Sequence, residues 1–248
     1  MKSILQPICF AVQFLTRIPV PLSAAPDEKI AGRALPLFPA VGWLLGALLF
    51  CLWWLVDAHG TLSPYPAAII LIAAETLLTG AFHLDGLADS FDGFLSPGTG
   101  SDEKLAIMKD SRIGVMGATA LVLVLLLKVS LLAECIRLSL APAILVYPAA
   151  GRWAQVLLYS CSTYVRRGGI GQLFARAANY TALALATLLL IPGLFILRAP
   201  LGFVLVPLCI LGFRSYAVKK VGGITGDVLG AATVLAEIAF LLGVCLSR

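Results

Sequence analysis

The sequence predicts an all-α integral membrane protein: a polytopic bundle of about seven transmembrane helices with an interfacial or re-entrant helix at the N-terminus. Three observations predict it. The 248 residues are 60% hydrophobic and only 12% charged, about half the charge fraction of a soluble domain. The apolar residues collect in runs long enough to cross a bilayer. The basic residues divide unevenly between alternate loops, as membrane orientation requires. No convincing internal repeat or low-complexity linker interrupts the chain, so residues 1–248 form a single domain.

Lys2 and the apolar stretch after it, ending at Ser23-Ala24-Ala25, loosely resemble a cleavable signal. Gln6, Pro7, Gln13 and Arg17 interrupt the apolar run, which favours a helix lying at the interface. Spanning helices are then expected at 35–56, 63–82, 114–133, 140–160, 180–197, 199–213 and 226–246. The pair 180–197 and 199–213 is short and carries Pro192, Pro200 and Pro207, so a kinked or partly re-entrant hairpin is expected there.

Placing the N-terminus in the cytoplasm puts thirteen basic residues on inside segments and three (Arg137, Arg198, Arg248) outside, with Lys128 and Arg152 inside helices. That asymmetry sets the orientation. The longer inside loops, 83–113, 161–179 and 214–225, also hold nearly every polar motif, so function is expected at the cytoplasmic face.

The six cysteines are scattered, without a C-x-x-C, and read as small hydrophobes rather than a disulfide framework or zinc site. The net charge of +5 fits loops facing anionic lipid. With no long basic arm and no aromatic stacking motif, a nucleic-acid partner is not expected.

The most informative segment is His83-Leu-Asp-Gly-Leu-Ala-Asp-Ser-Phe-Asp-Gly93. On a helix, the i, i+4, i+7 spacing of Asp85, Asp89 and Asp92 puts three carboxylates within about 60° of one another. Three anions on one face at a membrane edge repel each other, and a divalent cation relieves them. Magnesium suits oxygen ligands and shares its shell with phosphates. The alternative is a solvated acidic loop, which does not require helical spacing.

Three cationic or glycine-rich motifs accompany it. In Lys109-Asp-Ser-Arg-Ile-Gly114, Lys109 and Arg112 flanking an acid are suited to phosphate, with a further metal or hydroxyl contact from Asp110. The alternative is a positive-inside anchor with a helix cap. In Tyr164-Val-Arg-Arg-Gly-Gly-Ile-Gly171, Arg166 and Arg167 beside flexible glycines can wrap an anion or lie on anionic lipid. In Gly222-Gly-Ile-Thr-Gly-Asp227, Thr225 and Gly226 precede a helix N-terminus that favours phosphate. Asp227 can serve the helix dipole or complete a metal shell.

Deeper in the chain, Arg152 is expected either to pair with Glu75 or Glu237 or to contact ligand. Lys128 is expected near the outer end of its helix, snorkelling. His83 is a metal ligand, a base, or a hydrogen-bonded structural residue; His59 has no assigned role. With no Ser/His/Asp signature, P-loop or dinucleotide fingerprint, the chemistry that fits is metal-assisted transfer from a diphosphate donor to an alcohol.

At these motifs the sequence resembles the cobalamin synthase (adenosylcobinamide-GDP ribazoletransferase) family. The matching blocks are Thr16 to Pro21, Phe82 to Asp89 with Asp92-Gly93, Lys109 to Gly114, Tyr164 to Gly171, and Gly222 to Asp227 with Gly230-Ala231. The resemblance implies a magnesium-dependent enzyme of a bacterial cytoplasmic (inner) membrane. Adenosylcobinamide-GDP would be donor and α-ribazole or its 5′-phosphate acceptor, giving adenosylcobalamin or its 5′-phosphate plus GMP. It further implies Asp85, Asp89 and Asp92 as magnesium ligands, with Asp227 or Asp110 adding one. An aspartate of the cluster, or His83, would be base. Arg17, Lys109, Ser111, Arg112, Arg152, Arg166, Arg167, Thr225 and Gly226 would be substrate contacts. Monomer and homo-oligomer both stay open.

Two rivals make different demands. A CDP-alcohol phosphotransferase carries Ala-Arg after Asp-Gly, whereas Asp85-Gly86 is followed by Leu-Ala-Asp. A transporter would place its functional charges near the bilayer midplane.

Overall fold

A computed structural model describes residues 2–21, 25–57, 62–98 and 100–247, the first three of them as backbone only. The Ser23-Ala24 part of the signal-like site and His59 lie outside the described residues. Among the described residues thirteen α-helices follow one another: α1 (Lys2–Leu15), α2 (Glu28–Ala34), α3 (Phe38–Asp57), α4 (Pro64–Thr79), α5 (Phe82–Leu95), α6 (Ser101–Ile107), α7 (Val115–Arg137), α8 (Ala143–Cys161), α9 (Ile170–Ala177), α10 (Tyr180–Leu190), α11 (Pro192–Leu197), α12 (Pro200–Val221) and α13 (Gly226–Leu246). The all-α membrane architecture expected from composition is present.

By length and composition, five helical segments can cross a membrane, or six when α4 and α5 count as one bent span. The expected count of seven therefore depends on α8, which is outside both counts. Its sequence includes Pro148, Arg152 and Gln155, and nearly every residue from Ala143 to Tyr159 is buried. A helix enclosed by other helices need not be apolar enough to face lipid. Packed against α3, α10, α12 and α13, it forms the centre of the bundle.

The proline-broken region resolves into two segments. α10 and α11 together form an 18-residue apolar stretch. Beyond it α12 runs 22 residues with Pro207 inside it, ending eight residues later than the expected 213. α1 has only 14 residues, about 21 Å of helix against a hydrocarbon core of about 30 Å. It buries Phe10, Ala11 and Leu15 against the bundle, and its Phe10 and Phe14 rings meet Phe174 of α9.

α4 and α5 meet at 90°. The corner is made by Gly80 and Ala81, both left-handed (φ 66° and 61°). Gly80 ends α4 as its C-cap. The turn redirects α5, which packs on α7 and alongside the N-terminal half of α13 at one end of the bundle. Chain order brings the N-termini of α7 and α13 and the C-terminus of α8 to that same end.

Candidate active site at one end of the bundle

The acid-rich segment is helical throughout, so Asp85, Asp89 and Asp92 share a face as their spacing predicts. Asp85 is exposed; Asp89 and Asp92 are half-buried. They nevertheless part company. The Asp92 carboxylate accepts the backbone N–H of Gly114 at 2.7 Å and of Gly117 at 2.8 Å, so both its oxygens cap the start of α7. Its expected role as a metal ligand or catalytic group thus gains a structural competitor that the spacing did not reveal.

Asp89 keeps different company. Burial and the charges of Asp227 and Asp85 push its carboxyl up to about 7, against a lowering effect from Arg166. Asp227 reaches this position because α5 lies almost directly on α13. A Cβ on Gly86 would come 2.8 Å from the Asp227 carbonyl oxygen, and one on Gly230 would come 3.2 Å from the His83 carbonyl oxygen. Glycine at both positions permits backbone-to-backbone approach. The patch that forms is Asp85, Asp89 and Asp227, from two elements remote in sequence.

Among the described residues, no three His, Cys, Asp or Glu side chains converge as a ready metal cage. The donor set still suits a divalent cation. It is all carboxylate, and burial, followed by the Asp227 and Asp85 charges, pushes the Asp89 carboxyl up to about 7, a cost that a bound cation would relieve. Asp227 is also bound to Arg166, at 2.6 Å.

Arg166 is held by a short parallel bridge between the two glycine-containing loops. Val165 N–H donates to the Ile224 carbonyl at 3.0 Å, and Ile224 N–H donates to the Thr163 carbonyl at 2.9 Å. Arg166 also donates to the Met108 carbonyl at 3.3 Å. Next to it opens a cleft of about 390 Å³, whose lining includes Lys109, Arg166, Arg167, Gly226 and the glycine run 168–171. Three cations from two separate motifs thus meet at one opening, beside the acidic patch.

Other expected contacts lie elsewhere. Thr225 is fully buried and caps α13, its hydroxyl accepting Val228 N–H at 3.2 Å. The substrate contact expected of it gives way to a capping role, because a helix start needs an acceptor there. Asp110 and Arg112 form a largely exposed pair at 2.6 Å. Hydrogen bonding to Arg112 holds Asp110 down at about 2. The pair lines a second cleft with Asp92, while Ser111 is exposed. Arg17 does not line either cleft: its backbone N–H donates to the Leu78 carbonyl at 2.7 Å, and its side chain lies over Gly80 at the α4–α5 corner.

Beneath the patch is a buried charge cluster. Lys128 contacts Glu75 at 2.7 Å and Glu237 at 2.6 Å. Arg152 is paired with Glu237 and, at 3.5 Å, with Glu75. Tyr147 donates its hydroxyl to Glu75 at 2.9 Å. Arg152 is therefore a member of an ion cluster rather than of either cleft, which is the pairing alternative the sequence offered. The expectation for Lys128 was wrong: it does not snorkel, and is only 4% exposed. Two carboxylates within reach hold it in the interior. His83 is also buried, with its Nε2 3.0 Å from the Gln155 amide nitrogen. Burial, then the Arg152 charge, keep it well below its usual range. It has the setting of a hydrogen-bonded structural residue.

The sequence did not point to the aromatic side of the cationic cleft. Phe14, Phe82, Tyr159 and Gln155 line it along with Tyr164. The first three resemble ordinary core residues in a chain this apolar, and only the bundle geometry distinguishes them.

The chain matches the model of the cobalamin-5-phosphate synthase family over residues 7–245. A Stutzerimonas stutzeri protein named adenosylcobinamide-GDP ribazoletransferase is 38% identical over 242 residues, covering 97% of this chain and 98% of the relative. Proteins of the same name from Pseudomonas fluorescens Pf-5 and Desulfitobacterium hafniense are 40% and 39% identical. They cover 97% and 94% of this chain, and 99% and 94% of their own lengths. No solved structure matches.

Proposed function

This chain belongs to the cobalamin-5-phosphate synthase family, and on that premise we propose that it is an adenosylcobinamide-GDP ribazoletransferase. It joins adenosylcobinamide-GDP to α-ribazole or α-ribazole 5′-phosphate, giving adenosylcobalamin or its 5′-phosphate and GMP. The site faces the cytoplasm from a bacterial inner membrane, an orientation supported by the thirteen-to-three distribution of basic residues.

The observation that carries the reading is the Arg166–Asp227 contact. It joins a carboxylate patch to a cationic cleft, the two environments a diphosphate transfer requires. Lys109, Arg166 and Arg167 bind the phosphates and orient them toward the patch. An acceptor hydroxyl forms a bond to the phosphorus attached to cobinamide, the P–O bond to the GMP oxygen breaks, and GMP leaves with the electron pair. The hydroxyl proton passes to a carboxylate of the patch, for which Asp89, between Asp85 and Asp227, is best placed. Asp85, Asp89 and Asp227 are the residues that would hold magnesium, which when bound supplies charge neutralisation at the diphosphate. Asp92 supports them by fixing α5 against α7.

The test uses purified protein in liposomes with adenosylcobinamide-GDP and α-ribazole, with and without magnesium. GMP and corrinoid product should appear together, and only with the metal. Absence of both from folded protein would sink the reading.

A further inference from the structure

The geometry points to the aromatic part of the cationic cleft as the seat of the acceptor's planar base, a benzimidazole-type ring rather than guanine or the corrin. This rests on the transferase reading above. Two aromatic pairs line the cleft. Phe14 and Phe82 lie with ring centroids 6.2 Å apart, and Tyr159 and Tyr164 lie 6.2 Å apart and nearly parallel, at 21°. Such surfaces take a flat π-system by stacking.

Size and polarity narrow the occupant. A volume of about 390 Å³ is in the range of small-ligand sites and is far too small for a corrin with its side chains. Guanine presents two adjacent N–H donor groups that call for a carboxylate acceptor, and no described lining residue is acidic. A benzimidazole ring presents little beyond apolar faces and one acceptor nitrogen. The buried Gln155, 3% exposed, lines the same cleft, and its amide nitrogen is already engaged by His83 Nε2 at 3.0 Å and the Thr233 hydroxyl at 2.6 Å, so the cleft meets the ring chiefly through its apolar faces. Arg166 lines the cleft too, and its partner Asp227 belongs to the acidic patch. A base seated on the rings would therefore direct its ribose toward the reacting phosphorus.

The experiment measures equilibrium binding of labelled α-ribazole to the full chain in nanodiscs, together with the KM for each substrate, for the wild type, Phe82→Ala and Phe82→Tyr. Phe82 is 48% exposed, so its truncation leaves the core intact. Phe82→Ala should weaken α-ribazole binding and raise its KM about tenfold, from loss of one stacking surface. The KM for adenosylcobinamide-GDP should stay within about twofold, and Phe82→Tyr should restore the acceptor KM. Free dimethylbenzimidazole should compete with α-ribazole and not with the donor. Should Phe82→Ala not insert, Phe82→Leu keeps apolar bulk without the ring and should show the same acceptor defect. A raised donor KM with an unchanged acceptor KM assigns the cleft to guanine and overturns the proposal. Normal turnover with neither KM changed overturns it while leaving the transferase intact. A wild type that neither binds α-ribazole nor turns over removes both.

Discussion

Gly86 lies against Asp227 so closely that a methyl group at Gly86 would come 2.8 Å from the Asp227 carbonyl oxygen and 3.0 Å from its Cα. Both are backbone atoms of a spanning helix, which cannot give way as a flexible side chain can. Gly86→Ala must therefore lift α5 from α13 and separate Asp89 from Asp227. Overpacking of this kind costs about 1–3 kcal/mol. The expected outcome is inserted protein with GMP release reduced at least about tenfold, since small misplacements at a reacting centre cost heavily. Turnover near wild type would show that the helix contact does not set the site.

Asp89 and Asp92 are three residues apart, yet their isosteric variants should fail differently. Asp89→Asn removes a charge crowded by Asp227 and Asp85. It should abolish turnover while leaving the melting temperature unchanged or slightly higher. Asp92→Asn leaves only one oxygen to accept the N–H groups of Gly114 and Gly117. It should cost about 1 kcal/mol of stability through the α7 cap. Thermal unfolding and GMP release, measured side by side, separate the two. Equal loss of activity with equal stability would mean that Asp92 acts with the cluster and not chiefly as a cap.

Much of this was legible in the sequence. The helical spacing of the acids survives in the fold, and parts of all four polar motifs meet at one end of the bundle. What stayed hidden depended on partners distant in the chain. Nothing around Asp92 reveals that its oxygens meet Gly114 and Gly117, 22 and 25 positions away. Lys128 looked like a snorkelling residue because its compensating carboxylates lie 53 and 109 positions away. Gly86 and Gly230 fall in segments expected to be helical, but nothing in the sequence shows that the two serve one helix crossing. Local pattern reports the period of an element, whereas the identity of its neighbour comes from packing.

Magnesium binding should depend on pH through Asp89. Its carboxyl is pushed up to about 7, first by burial and then by the Asp227 and Asp85 charges. Below that pH the proton occupies the group and competes with the cation; above it the anion is available. Apparent magnesium affinity should thus fall as pH drops from about 8 to about 6, by up to about tenfold per unit once below the pKa. Magnesium titrations at fixed pH check this, read by turnover in the wild type and by direct metal binding in Asp89→Asn. The slope should flatten in any Asp89→Asn protein that retains measurable metal binding, and a pH-independent affinity in the wild type would remove Asp89 from the metal site.

The buried cluster beneath the patch gives the sharpest stability test. Glu75 and Glu237 face Lys128 and Arg152, so the four charges cancel in a setting with little water. Removing one member strands the others, and breaking a buried pair typically costs about 3–5 kcal/mol. Lys128→Met should lower stability by that order. Adding Glu237→Gln to it should recover much of the loss, because the cluster then keeps one anion, Glu75, opposite one cation, Arg152. The exposed Glu134–Arg137 pair is the control. Disrupting it should change little, since solvent-exposed ion pairs contribute little. Denaturation in mild detergent, read for the single and double variants, measures the coupling directly. If the two buried changes simply add, Lys128 and Glu237 are energetically independent despite their 2.6 Å contact. If the double variant recovers, the charges are held in place by one another, and the site above rests on a floor whose stability depends on their balance rather than on any one of them.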